Sequence, residues 1–125
     1  MQLLIRVRPL SVNRAWQGRR FKTPECSAYN QAVAESLAKQ HLKPVISSWY
    51  EIHYQFWIKN FARTDCDNLV KTLQDCIVRA RLISDDAKIK KFTVEKFRAT
   101  GKPDDPEGAV VDILPYQTTK KIEGE

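Results

Sequence analysis

The chain has 125 residues, 42% of them hydrophobic and 29% charged, with a formal net charge of +6. That length suits one domain with a substantial core, and no apolar run approaches the roughly 20 residues needed to cross a bilayer. Three cysteines, Cys26, Cys66 and Cys76, with no Cys-x-x-Cys spacing argue against a disulfide framework or a zinc site.

Residues 2–8 alternate, with Leu3, Ile5 and Val7 on one face and Arg6 and Arg8 on the other, which predicts a strand ended by Pro9. The two arginines inside this apolar run exclude a signal peptide. Nothing marks export, and the cytoplasm is the expected compartment. A loop follows with Gly18 and four cations, Arg14, Arg19, Arg20 and Lys22. Thr23 and Pro24 read as the cap and first residue of a helix. Its stripe is Tyr29, Val33 and Leu37, and it runs to about His41, before Pro44.

Residues 49–59 carry the clearest alternation. Tyr50, Ile52, Tyr54, Phe56 and Ile58 share one face, opposite Glu51, His53, Gln55 and Lys59, so a long strand with one buried face is predicted. A loop leads to a second helix over about residues 68–81, with Leu69, Leu73, Cys76 and Ala80 inward and Asp67 as its expected cap. After a turn, residues 88–97 read as a strand with Phe92 and Val94 pointing inward. "TGKPDDPEG" reads as a hairpin loop, and residues 109–114 as the last strand. The order β-α-β-α-β-β suits an α+β fold with a mixed four-stranded sheet and two helices. One domain is expected over residues 1–116, with residues 117–125 as a mobile tail that has little to bury.

Charge is spread unevenly. Residues 1–60 hold nine Lys/Arg against three Glu, whereas residues 61–125 hold twelve of each sign. An excess of this size favours contact with a polyanion such as nucleic acid, although a merely well-solvated surface fits charge alone equally well. Within the balanced half, "TDCDNLVKTLQD" concentrates acid. Asp65 and Asp67 are two apart on a loop, and Lys71 and Asp75 follow Asp67 at i+4 and i+8, on one side of the helix. Asp85 and Asp86 come just after it and would fold back over the first group if helix and next strand pack as neighbours.

Carboxylates in such a group suit a hard divalent cation, which typically takes one or two of them plus waters and substrate phosphates. The cation would offset their mutual repulsion and act on a phosphate, and a lysine beside it would steady the developing charge. Blander readings remain open at each position: Asp67 as a cap only, Lys71–Asp75 as a plain surface ion pair, Asp85-Asp86 as a turn. His41 and His53 lack metal-ligand spacing to each other, and no Gly-rich phosphate loop is present.

"PLSVNRAW", "GRRFKTPECSAY" and "DCDNLVKTLQD…LISDDAKI" together resemble the RusA family of Holliday junction resolvases, in order and spacing, over about residues 4–114. The resemblance implies a small homodimeric α+β enzyme that cuts four-way DNA junctions with Mg2+, for which Mn2+ can substitute. It implies that Asp65, Asp67 and Asp86 hold the metal and that Lys71 is catalytic. Asp75 and Asp85 take supporting roles, Asp75 by holding Lys71. Asn13, Arg14, Arg19, Arg20, Lys22 and Arg63 fall in the loops that would meet DNA. Two alternatives stand beside this reading: a nucleic-acid-binding module without catalysis, and a nuclease for flaps or other branched DNA.

Overall fold

The computed structural model describes residues 1–17 and 21–117. Arg19, Arg20 and nearly all of the expected tail lie outside the described residues. The chain forms β1 (Gln2–Ile5), a short α1 (Val12–Ala15), β2 (Trp16–Gln17), β3 (Phe21–Lys22), α2 (Pro24–Lys39) and β4 (Tyr50–Ile58). A single 3-10 turn at Phe61–Arg63 precedes α3 (Asp67–Arg79), and another at Asp86–Lys88 precedes β5 (Ile89–Arg98) and β6 (Gly108–Pro115).

Four strands make a mixed sheet in the order β1-β6-β4-β5, and β2 pairs with β3 as a separate ribbon. The α+β class and the mixed four-stranded sheet agree with the sequence pattern, with three helices in place of two. Within the sheet β4 is central. It runs parallel to β5 and antiparallel to β6, and β1 pairs antiparallel with β6. The expected hairpin between the last two strands is therefore absent, because β4 lies between them. Residues 99–107 instead carry the chain across the end of the sheet, from one side of β4 to the other. Asp105 braces this crossing by accepting from the Thr100 N–H at 2.9 Å, and Gly101 supplies the positive φ of +80° that the bend requires.

Parallel β4 and β5 are joined by α3, the usual crossover of a βαβ unit. Burial along β4 alternates strictly, and Tyr50, Ile52, Tyr54, Phe56 and Ile58 are all buried. They share one core with Tyr29, Val33 and Leu37 of α2 and with Leu69, Val70, Leu73, Cys76 and Ile77 of α3. Ala80, expected in the α3 stripe, is exposed, and Ile77 takes the inward place.

The first long helix starts as its sequence dictates. Thr23 caps α2, its Oγ1 accepting from the Cys26 N–H at 3.2 Å, with Pro24 next. The same hydroxyl donates to the Arg14 carbonyl at 2.6 Å, which ties the basic loop to the helix. At the far end of α2, Gln40 covers the free edge of β1. Its Oε1 accepts from the Leu4 N–H at 3.0 Å and its Nε2 donates to the Leu4 carbonyl at 2.6 Å, so this edge offers no ready ladder to another strand.

Two expectations need correction. Phe92 faces the helix side as expected but is 51% exposed rather than buried, because β5 is an edge strand with a sheet partner on one side only among the described residues. Asp67 is the first residue of α3 and not its cap. Cys66 holds the cap position in a helical conformation, with no side-chain cap hydrogen bond.

Candidate active site

The loop after β4 brings the first acids forward. The Phe61–Arg63 turn leads through Thr64 to Asp65, whose carbonyl accepts from the Asn68 N–H at 3.1 Å as α3 begins. Asp65 and Asp67 are both exposed. Asp67 lies in the first turn of α3, where unpaired backbone N–H groups favour a negative charge.

One turn later stands Lys71. Its Nζ lies 3.0 Å from Asp75 Oδ1 and 3.4 Å from Asp86 Oδ2, so it bridges a carboxylate of its own helix and one from the turn before β5. The hydrogen bond to Asp75, with a further contribution from Asp86, raises the Lys71 pKa, while partial burial works the other way. Asp86 is shifted down, first by hydrogen bonding with the Asp85 side chain and then by Lys71. These groups are exposed, so the pairs contribute little to stability. Their effect is to keep the ammonium and its acidic partners charged and aligned. Asp85 is turned toward its own backbone, its Oδ1 accepting from the Ala87 N–H at 3.0 Å, so it caps the short turn.

Asp65, Asp67 and Asp86, expected to converge, come from the two ends of the crossover between β4 and β5. Asp65 follows the C-terminal end of β4, and Asp86 precedes the N-terminal end of β5. Because the two strands are parallel, those points lie at opposite ends of the strands. The crossover helix α3 runs between them, and Asp86 meets it at Lys71, one turn after Asp67. Among the described residues no group of three or more His, Cys, Asp or Glu side chains stands close enough to hold an ion. The oxygen donors are nonetheless of the kind that Mg2+ takes, and that ion needs only one or two protein carboxylates when phosphate and water complete its shell. Asp65 and Asp67, two residues apart and exposed, fit that demand in kind.

Asp65 also faces a groove of about 720 Å³, lined among others by Arg8, Asn13, Arg14, Arg63 and Asn68. Three of the residues expected to meet DNA, Asn13, Arg14 and Arg63, are thus gathered around the first acid of the cluster. Lys22 is exposed but does not line this groove, and Arg19 and Arg20 fall outside the described residues.

Sequence reasoning missed Arg8, which it placed only on a strand face. The guanidinium reaches the groove rim beside Glu107, Nε to Oε2 at 3.5 Å. Glu107 in turn accepts from the Lys59 N–H at 2.8 Å, so the acidic 102–107 loop, which the motifs leave without a role, holds a cation at the rim and steadies the end of β4. A second cavity, of about 360 Å³, lies between α2 and α3, around Leu37, His41 and Cys76, and none of the acids of the cluster lines it. Its Cys76 thiol is pushed up to about 11, chiefly by burial, which leaves it a poor nucleophile. His53 sits on the other face of the sheet. Its ring nitrogens are each 2.6 Å from a partner, Thr93 Oγ1 and Glu51 Oε2, a hydrogen-bonded surface role in keeping with its lack of ligand spacing.

No helix among the described residues is long and apolar enough to cross a membrane. No individual curated protein matches the sequence. The profile of the family described as endodeoxyribonuclease RusA matches residues 7–104, a span that holds the basic loop, the groove lining apart from Glu107, and Asp65, Asp67, Lys71, Asp75, Asp85 and Asp86. The chain therefore belongs to the RusA family of endodeoxyribonucleases, the Holliday junction resolvases that its motifs resemble.

Proposed function

We propose that this protein is a metal-dependent, structure-selective endonuclease that resolves four-way DNA junctions by paired symmetric cuts. The observation that carries the reading is the groove in which Asp65 faces Arg14, Arg63 and Asn13, just before the helix that carries Asp67 and, one turn later, Lys71. The cations and Asn13 bind backbone phosphates, which supplies affinity by charge and shape without reading bases. Asp65 and Asp67 hold Mg2+, with Mn2+ as a substitute. The ion supplies charge neutralisation at the scissile phosphate. Lys71, held by Asp75 and Asp86, stabilises the negative charge that grows on that phosphate during attack. The family pattern makes Asp86 a third ligand of the metal. In the described arrangement its Oδ2 is paired with Lys71, one turn after Asp67.

Two cuts related by symmetry call for two identical sites about a two-fold axis, so the active form is a homodimer. The sheet face opposite the helices supports this. It carries Leu4 at 54% and Leu114 at 41% exposure, and among the described residues no helix covers it.

That no three acidic side chains among the described residues stand close enough to hold an ion favours one competing reading, a nucleic-acid-binding module without catalysis. Incubating the protein with a synthetic four-way junction in Mg2+, in Ca2+ and in EDTA decides between them. The endonuclease nicks in Mg2+ and stalls in the other two, whereas a binding module retains the junction in all three and cuts in none. Adding flap and linear duplex competitors separates junction selectivity from general branched-DNA cleavage.

A further inference from the structure

Lys96 belongs to none of the motifs above. It lies on β5 beyond the acidic cluster, in a strand that already carries Lys90 and Lys91. Its side chain does not extend to solvent like those of an ordinary edge strand. The half-buried ammonium donates to the Phe61 carbonyl at 2.7 Å and to the Thr64 carbonyl at 3.0 Å. It also sits 4.4 Å from the centroid of the Phe61 ring, and the Arg98 guanidinium lies 4.6 Å from the same centroid. Two cations of one strand thus hold the ring of Phe61, and one of them binds both ends of the turn that leads to Asp65.

The chemistry of this contact is specific. An ammonium has three donors and no acceptor, so two backbone carbonyls and a ring face satisfy it well. The Thr64 carbonyl shares its peptide plane with the Asp65 nitrogen, and that plane is rigid. Fixing the oxygen fixes the plane from which Asp65 projects. The turn has few other restraints: its own Thr64 Oγ1 donates to the Asn60 carbonyl at 2.9 Å, and Asn60 supplies no side-chain cap.

We infer that Lys96 is a positioning residue of the active site, a clamp from β5 that sets the loop bearing Asp65 against the groove. It touches neither substrate nor metal and acts through the backbone of residues 61–64. The inference rests on the reading that Asp65 belongs to the catalytic centre. A small misplacement of a catalytic group can cost up to about 100-fold in rate.

The test compares the full-length protein with Lys96→Met and Lys96→Arg. Junction cleavage in Mg2+ gives kcat and KM, and amide hydrogen exchange is followed over residues 60–68. Lys96→Met is expected to lower kcat by between about 10- and 100-fold. Its KM should change by less than about threefold, because the groove cations that bind phosphate are untouched. Exchange in residues 60–68 should rise while α2 and β4 keep their protection. Lys96→Arg, whose forked donors can still meet two carbonyls, should recover most of both. Unchanged exchange in residues 60–68 of the Met variant overturns the clamp, and so does an unchanged kcat beside a wild-type protein that cuts. A wild-type protein that cuts nothing removes the endonuclease reading alone, and the exchange result still decides whether Lys96 holds the loop.

Discussion

Asp67→Asn is expected to bind a four-way junction at least as tightly as the wild-type protein and to cut it 100- to 1,000-fold more slowly, a loss on the order of that from removing one preorganised charge-stabilising group. The two halves of this result have different causes. Asp67 is exposed in the first turn of α3 and buries nothing, so the amide should leave the fold intact. The substitution forfeits only the attraction between a carboxylate and the helix N-terminus, about 0.3–1 kcal/mol. Binding is then governed by the groove cations, and removing a negative charge beside a polyanion reduces repulsion. At close range in water that term is about 1 kcal/mol, or roughly fivefold tighter binding. Cleavage fails because an uncharged oxygen is a far weaker partner for a divalent cation. Gel-shift titration in EDTA with single-turnover cleavage in Mg2+ measures both. Undiminished cutting would remove Asp67 from the mechanism, and loss of binding would recast it as a structural residue.

The second large effect concerns stability. Phe56 is fully buried in the central strand, its ring 6.1 Å from that of Tyr54 and nearly parallel to it. Phe56→Ala should cost about 3–5 kcal/mol, since a central strand between two neighbours cannot collapse onto the space left behind. Against a usual total of about 5–15 kcal/mol that is a large share, and for a chain of this size it lowers Tm by on the order of 10–20 °C. Phe92 supplies the contrast. It also faces the helix side, but on the edge strand and half exposed, with a single edge-on ring contact to Tyr54. Phe92→Ala should cost no more than about 1 kcal/mol. Thermal unfolding of both variants checks the pair. Equal losses would mean that Phe92 is covered in solution, and a small loss at Phe56 would contradict the assignment of the core.

The contrast between these phenylalanines shows where sequence reasoning reaches and where it stops. Both alternate with polar neighbours, and period two is all that a strand pattern can report. It placed Tyr50–Ile58 correctly because β4 has a strand on each side and helices on one face, so every second residue is buried. For β5 the same pattern overstated burial, since alternation does not distinguish an edge from a centre. The "TGKPDDPEG" segment is a second case. Its glycines and prolines signal a change of direction, which is present, but local turn chemistry cannot say which strand the chain pairs with next. Here it passes β4 and pairs on the far side.

The site divides in the same way. Lys71 and Asp75 are four residues apart on a helix, and helical periodicity alone brings them to 3.0 Å. The contact between Lys71 and Asp86 needed only that α3 pack beside the start of β5, and it forms. Distance along the chain hid the rest. Arg8 meets its Glu107 partner where β1 ends beside the start of β6, and Lys96 grips carbonyls 35 and 32 positions earlier, with no spacing rule to mark either. The placing of Asp86 relative to Asp65 and Asp67 was beyond local pattern for the same reason, since the parallel pairing of β4 and β5 sets it.

The endonuclease reading is tested most directly by mapping cuts on a mobile four-way junction, labelled in turn on each of its four strands, after incubation with the wild-type protein and Mg2+. Nicks should fall on two opposing strands at symmetry-related positions, releasing two linear duplexes, and should vanish in EDTA. A junction that is fully bound yet uncut on every strand, or one cut at scattered unpaired positions, would contradict it.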